Sequence, residues 1–183
     1  MPAPTTIRNV AVFCASADGT NPLYRSAAEA LGKELAARRI GLIYGGAKVG
    51  LMRAVADAVL SAGGHVVGVI PEVLVDLEVA HEGVSELHVT STMHTRKAMM
   101  IERSDAFLIL PGGYGTMEEM FEVLAWQTLR LHEKKIILFN VHGFYDKLLE
   151  FLDSCVAEGM LKPKNREMLL VANDLQEVFE LLG

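Results

Sequence analysis

Short apolar runs alternate along the chain with longer stretches in which apolar positions return at helical spacing. The runs predict strands over Val10–Cys14, Ile40–Tyr44, His65–Ile70, Glu86–Thr90, Ala106–Leu110, Lys135–Asn140 and Met168–Ala172. The periodic stretches predict helices between them. Asn21-Pro22 supplies an N-cap and a first-turn proline for a helix running to about Arg38, with Leu23, Ala27, Ala30, Leu31 and Leu35 on its apolar face. Further helices are expected over Leu51–Ala62, closed by Gly63-Gly64, and over Thr92–Arg103, Met117–Leu131 and Phe144–Ala157. Asp174 caps a last one to Leu182, and residues 72–83 read as a loop with a short helix. Strands alternating with helices imply an α/β fold, a parallel sheet covered on both faces. The continuous apolar run Phe107-Leu108-Ile109-Leu110 suits such a sheet. Ligands then bind beyond the carboxyl ends of the strands, at a switch in strand order.

Two glycine-rich turns fall at such ends. Pro111-Gly112-Gly113-Tyr114-Gly115-Thr116 follows one strand and precedes a helix, the arrangement of an anion site. The free N–H groups of a first helical turn point outward, the helix dipole adds positive charge, and glycines let a phosphate come close. Glycines after a strand are also common in ordinary α/β turns. Gly45-Gly46-Ala47-Lys48-Val49-Gly50 has P-loop glycine spacing, but Leu51-Met52 stands where Lys-Ser/Thr is needed, so a Mg-nucleotide Walker site is rejected. The turn after Cys14 lacks G-x-G-x-x-G, which favours a mononucleotide phosphate over a dinucleotide. The loops Ala15–Thr20, Gly45–Gly50 and Pro111–Thr116 are all expected to line one crevice.

Composition narrows the function classes. The chain has 183 residues, a formal net charge of -6 and a hydrophobic share of 51%, which fits one well-packed domain. The acidic balance argues against a nucleic-acid or membrane-surface binder, though not against a small anion. Cys14 and Cys155 lie in no metal-ligand spacing and are expected to be reduced thiols in a cytoplasmic protein. Met1–Thr6 reads as a short, flexible, polar lead-in without the apolar region of a signal peptide.

Glu119 is the candidate acid–base group, with Glu118 and Glu122 beside it. Its spacing from Thr116 equally fits a capping box at the start of a helix. Arg96 and Lys97 are candidate cations for a phosphate or carboxylate, or else part of a solvated helix face. Lys48 and Arg53 carry the same two readings. Ser16 can bond a hydroxyl or base edge, or be an ordinary loop serine. His94 reads as structural, and Met99, Met100, Phe121 and Trp126 as core or interface. No Ser–His–Asp context or His/Cys metal cluster stands out.

Together these motifs resemble the "lonely guy" (LOG) family of cytokinin-activating phosphoribohydrolases. The family's P-G-G-x-G-T-x-x-E element corresponds to Pro111 through Glu119, its M-H-x-R-K element to Met93-His94-Thr95-Arg96-Lys97, and its G-G-x-x-x-G-L-M element to Gly45 through Met52. Val12-Phe13-Cys14-Ala15-Ser16 is similar to the family's first strand and serine loop. The resemblance implies a single-domain, Rossmann-like, doubly wound fold and a homodimer. It implies cleavage of the N-glycosidic bond of a nucleoside 5′-monophosphate, giving a free base such as an N6-modified adenine and ribose 5-phosphate. Arg96 and Glu119 would be the catalytic pair, with Arg96 holding Glu119 ionised. Ser16, Gly46, Glu78, Lys97, Gly112, Gly113, Tyr114, Gly115, Thr116 and Glu118 would bind the nucleotide. No cofactor, metal, nucleic acid or membrane is implied. Ala47-Lys48 and Ala125 depart from residues frequent in the family and bear on base preference. An AMP nucleosidase and a non-catalytic nucleotide or cofactor carrier on the same fold remain alternatives. Relatives are often labelled lysine decarboxylase, but no lysine stands in a pyridoxal-binding context.

Overall fold

The structure is a computed structural model that describes residues 7–75 and 79–183. The lead-in 1–6 and the candidate Glu78 lie outside them. Seven strands form one parallel sheet: β1 (Asn9–Phe13), β2 (Gly41–Tyr44), β3 (Val66–Pro71), β4 (Glu86–Thr90), β5 (Ala106–Ile109), β6 (Lys135–Phe139) and β7 (Leu169–Ala172). Their order is β4-β3-β2-β1-β5-β6-β7. The chain winds outward one way from β1 to β4, then returns and winds the other way from β5. β1 therefore pairs with both β2 and β5, Val12 opposite Leu108 and Phe13 opposite Ile109. The switch point lies between β1 and β5.

Helices cover both faces. Helix α1 (Pro22–Ala37), α2 (Gly50–Ser61) and the C-terminal α8 (Leu175–Leu182) pack Leu31, Leu35, Val55, Val59 and Phe179 against Val10, Val12, Leu42, Leu108 and Ile137. The opposite face carries α4 (Met93–Arg103), α5 (Tyr114–Thr128) and α6 (Asp146–Ala157). There Met100, Met120, Val123 and Leu152 meet Ala11, Ile43, Phe107, Ile109 and Leu138. Alternate residues of each central strand thus feed two separate cores, as a doubly covered sheet requires. Short helices α3 (Glu72–Val75) and α7 (Pro163–Arg166) and a 3₁₀ turn at Val141–Gly143 complete the order.

Local signals acted largely as expected. The Asn21 side chain accepts from the Leu23 N–H at 3.0 Å, and Asp174 accepts from the Glu177 N–H at 2.9 Å. Thr92 and Thr95 close a reciprocal cap on α4. One boundary differs in a way that matters. Helix α5 begins at Tyr114 rather than Met117, with Gly113 as its N-cap and no capping side chain. Gly115 costs little in a first turn, where the backbone N–H groups have no intrahelical partner to lose. At the other end Arg130 adopts φ 60°, so the helix stops at Thr128 rather than Leu131. The capping-box reading of Thr116 and Glu119 fails with this register, because Thr116 already lies inside the helix.

Candidate active site

The loops after β1 and β5 are tied together at the switch point. Leu110 donates to the Phe13 carbonyl at 3.0 Å, and Ala15 to the Pro111 carbonyl at 3.1 Å. The Tyr145 hydroxyl donates to the Leu110 carbonyl at 2.7 Å and braces the end of β5 from the α6 side. Above this seam opens a cavity of about 390 Å³. Its walls come from all three expected loops: Ser16 after β1, Gly45 and Ala47 after β2, and Gly113 through Thr116 after β5.

The start of α5 forms one wall. Gly113 offers no side-chain cap, and the first intrahelical bond is Met117 N–H to the Gly113 carbonyl at 3.0 Å. The N–H groups of Tyr114, Gly115 and Thr116 precede that bond, and all three residues line the cavity. Neither Gly113 nor Gly115 has a left-handed φ, and a Cβ at either would meet nothing within 4 Å. Backbone conformation and protein packing therefore give no reason for glycine at these two positions. Gly112 differs, because a Cβ there would strike the Thr116 side chain.

Arg96 from α4 and Glu119 from α5 also line the cavity, and each is only 7% exposed. Arg96 Nη1 lies 2.9 Å from Glu119 Oε1. The pair is close but not aligned as a directed hydrogen bond, which leaves Oε1 buried without a hydrogen-bond partner. Arg96 Nε donates to the Val69 carbonyl at 3.1 Å and is anchored to β3. Burial pushes the Glu119 carboxyl above the usual carboxylate range. Arg96 and Lys97 oppose that rise and Glu118 adds to it. Arg96 thus acts toward the ionised form of Glu119, and the desolvation of the buried carboxylate outweighs it. Cys14 lies in the same wall, its thiol held neutral by burial and by the Glu119 carboxylate.

Lys97, Glu118, Gly46 and Gly112 do not line the cavity. The Lys97 amine is held by Glu118 and, at 3.0 Å, by Glu122, forming a second α4–α5 brace beside the Arg96–Glu119 pair. Its burial lowers the amine pKa, but the two carboxylates more than offset this and raise it. Gly46, with φ +75°, packs against Val69 and Ile70, whereas its neighbour Gly45 faces the cavity. Val12, Cys14, Met52 and Leu74 supply an apolar wall that sequence reasoning missed. Apolar residues carry no chemical signal that separates a ligand wall from core; only the G-L-M element pointed near Met52. Arg53 pairs with Asp57 at 3.2 Å, and Lys48 is exposed outside the lining.

A family model described as "Possible lysine decarboxylase" matches residues 52–182. A probable cytokinin riboside 5′-monophosphate phosphoribohydrolase of Oryza sativa subsp. japonica is 52% identical over 167 residues, 91% of this chain and 74% of that protein. The chain belongs to the LOG family. An Arabidopsis thaliana cytokinin riboside 5′-monophosphate phosphoribohydrolase is 45% identical over 175 residues, covering 96% of this chain and 77% of its own. Among solved structures, the molybdenum cofactor binding protein from Rippkaea orientalis superposes with a TM-score of 0.74 at 21% identity, covering 97% of this chain and 96% of its own. The Moco carrier protein from Chlamydomonas reinhardtii gives 0.71 at 22%, covering 96% of this chain and 97% of its own. These two likenesses establish a shared fold. The decarboxylase description does not suit the LOG site seen here. Pyridoxal chemistry needs a lysine amine within reach of the cofactor, and among the described residues no lysine lines the cavity.

Proposed function

We propose that the chain hydrolyses the N-glycosidic bond of a cytokinin riboside 5′-monophosphate, an N6-modified AMP, releasing the free base and ribose 5-phosphate. The observation that carries this reading is Glu119: a buried carboxylate with an orphaned oxygen, paired with Arg96, on the wall next to the free N–H groups of α5. The identity to curated phosphoribohydrolases supports the same reading.

In this mechanism the 5′-phosphate sits on the N–H groups of Tyr114 to Thr116, in the space left by Gly113 and Gly115. Ser16 bonds the substrate from the opposite loop. The C1′–N9 bond breaks with its electron pair going to the base, and the ribose gains oxocarbenium character. The Glu119 carboxylate stabilises that cation and takes one proton from the attacking water, whose oxygen bonds to C1′. The departing base gains one proton at nitrogen from solvent, and Glu119 returns to solvent the one it took from water, so the carboxylate is restored. Arg96 favours the ionised form of Glu119 against its burial. The apolar wall of Met52 and Leu74 suits a base carrying an apolar N6 substituent.

A homodimer and a cytoplasmic setting belong to this proposal. An outward-facing apolar groove of about 310 Å³, lined by Phe121, Leu124, Leu152 and Leu161, offers a surface for a second copy. Light scattering on the purified chain should give twice the 20.0 kDa chain mass. Cys14 and Cys155 are both free thiols, as in reducing compartments. Among the described residues no helix is long and apolar enough to cross a membrane.

The test is product analysis after incubation with AMP and with N6-isopentenyl-AMP. Free base and ribose 5-phosphate are expected from both, faster from the prenylated nucleotide. Binding of both without cleavage would reject the hydrolase and favour a nucleotide carrier. Faster cleavage of AMP would point to a general nucleosidase.

A further inference from the structure

We infer that Gly45 is a positioning residue, whose missing side chain leaves room for the Arg96 guanidinium to lie beside the end of β2 and face Glu119. The inference rests on the hydrolase reading of that pair. Gly45 is buried and lines the cavity, and its φ lies outside the left-handed region, so the backbone there accepts alanine. The space does not. A Cβ at Gly45 would run into Nη2 of Arg96, with Cζ at 3.4 Å; the Met52 sulfur, at 3.0 Å, is the movable tip of a flexible side chain.

The guanidinium cannot step aside alone. It is planar and rigid, and its three nitrogens have three different neighbours. Nε donates to the Val69 carbonyl, Nη1 faces Glu119, and Nη2 lies over Gly45. Displacing Nη2 therefore pulls Nη1 from Glu119 or Nε from Val69. Either movement weakens the largest influence that opposes protonation of Glu119. The other groups facing this carboxylate are Lys97 from α4, Glu118 from its own helix and the neutral Cys14 thiol at the end of β1. None of them is among the atoms nearest to a Cβ at Gly45.

The experiment reads Glu119 without substrate, so it stands apart from the assay of hydrolysis. The carboxyl of Glu119 is titrated by carbon-13 NMR in the wild type, Gly45→Ala, Arg96→Ala and the double variant, with Glu119→Gln giving the assignment. Gly45→Ala should raise the titration midpoint by about one pH unit or more, toward that of Arg96→Ala. In the Arg96→Ala background the same substitution should add nothing. Its thermal midpoint should stay near that of the wild type. If Gly45→Ala does not fold, Gly45→Ala/Arg96→Ala must fold, because the colliding group is gone; failure of both rejects the proposal. A wild-type titration in Gly45→Ala, or an equal shift in both backgrounds, also rejects it. The expected titrations without any product would leave the positioning role standing and remove the hydrolase.

Discussion

The Gly45–Gly50 turn and the Gly112–Gly115 turn each leave a strand and open a helix, yet their glycines answer to different neighbours. In the first, Gly46 and Gly50 take φ +75° and +55°. A Cβ at Gly50 would collide with the backbone of Ser16 and Ala17. The N–H groups at the start of α2 are already engaged, Leu51 to the Ala17 carbonyl at 3.4 Å and Met52 to the Ala15 carbonyl at 3.3 Å. The Gly50 end of this turn is closed by protein. In the second, a Cβ at Gly113 or Gly115 meets nothing, and the residues carrying the first α5 N–H groups line the cavity. One glycine pattern serves a packed loop junction, and the other leaves two glycines uncovered where the proposed phosphate would sit. What separates them is whether the protein itself fills the space above the glycine.

The largest effect should come from the helix that the open turn begins. Glu119→Gln should lower turnover by on the order of 10²-fold or more while the fold persists. Gly115→Ala comes next. A methyl group there intrudes on the phosphate seat, and losing charge-assisted hydrogen bonds of about 1.5–3 kcal/mol raises KM by roughly ten-fold or more. The same change should hold or raise the thermal midpoint, since alanine is favoured over glycine within a helix by up to about 1 kcal/mol. Gly50→Ala should do the reverse. Left-handed strain of about 1–3 kcal/mol, with the collision against Ser16 and Ala17, lowers the midpoint. If Gly50→Ala and Gly115→Ala changed stability and KM alike, the contrast between the turns would collapse.

Two smaller effects sharpen the picture. Burial pushes the Glu119 carboxyl above the usual carboxylate range, and the proposed mechanism uses it as the carboxylate, so activity should rise with pH along an acid limb above that range. A pH–rate profile checks this. The linked stability has the opposite sense. A folded pKa raised above the unfolded one stabilises fully below the unfolded pKa, and that contribution is lost as pH rises through the folded pKa. The midpoint of Glu119→Gln minus that of the wild type should therefore increase with pH across this window. Smallest of all, Lys48→Ala should leave kcat/KM within about two-fold, because the lysine is exposed and outside the cavity lining.

Much of the fold was legible because the signals were local. Asn21, Thr92 and Asp174 cap the helices they introduce, and seven apolar runs became seven strands. The three glycines of 112–115 mark a turn in sequence, but a first helical turn tolerates glycine, so α5 already begins at Tyr114. Arg96 and Glu119 were legible as a motif, and the fold brings them together from α4 and α5. The difference between Gly45 and Gly46 was not, since it depends on an arginine far along the chain. Nor was the Lys97–Glu118–Glu122 brace, where helix register decides which charges meet. The sign of the Glu119 shift needed burial, which sequence neighbours do not report.

The most direct measurement is calorimetric titration of ribose 5-phosphate into the wild type and Gly115→Ala, with the melting of each recorded alongside. The account predicts binding to the wild type, binding weakened roughly ten-fold or more in Gly115→Ala, and an unchanged or higher melting temperature. Equal binding by the two proteins would contradict it, because the phosphate would then not sit on the open turn.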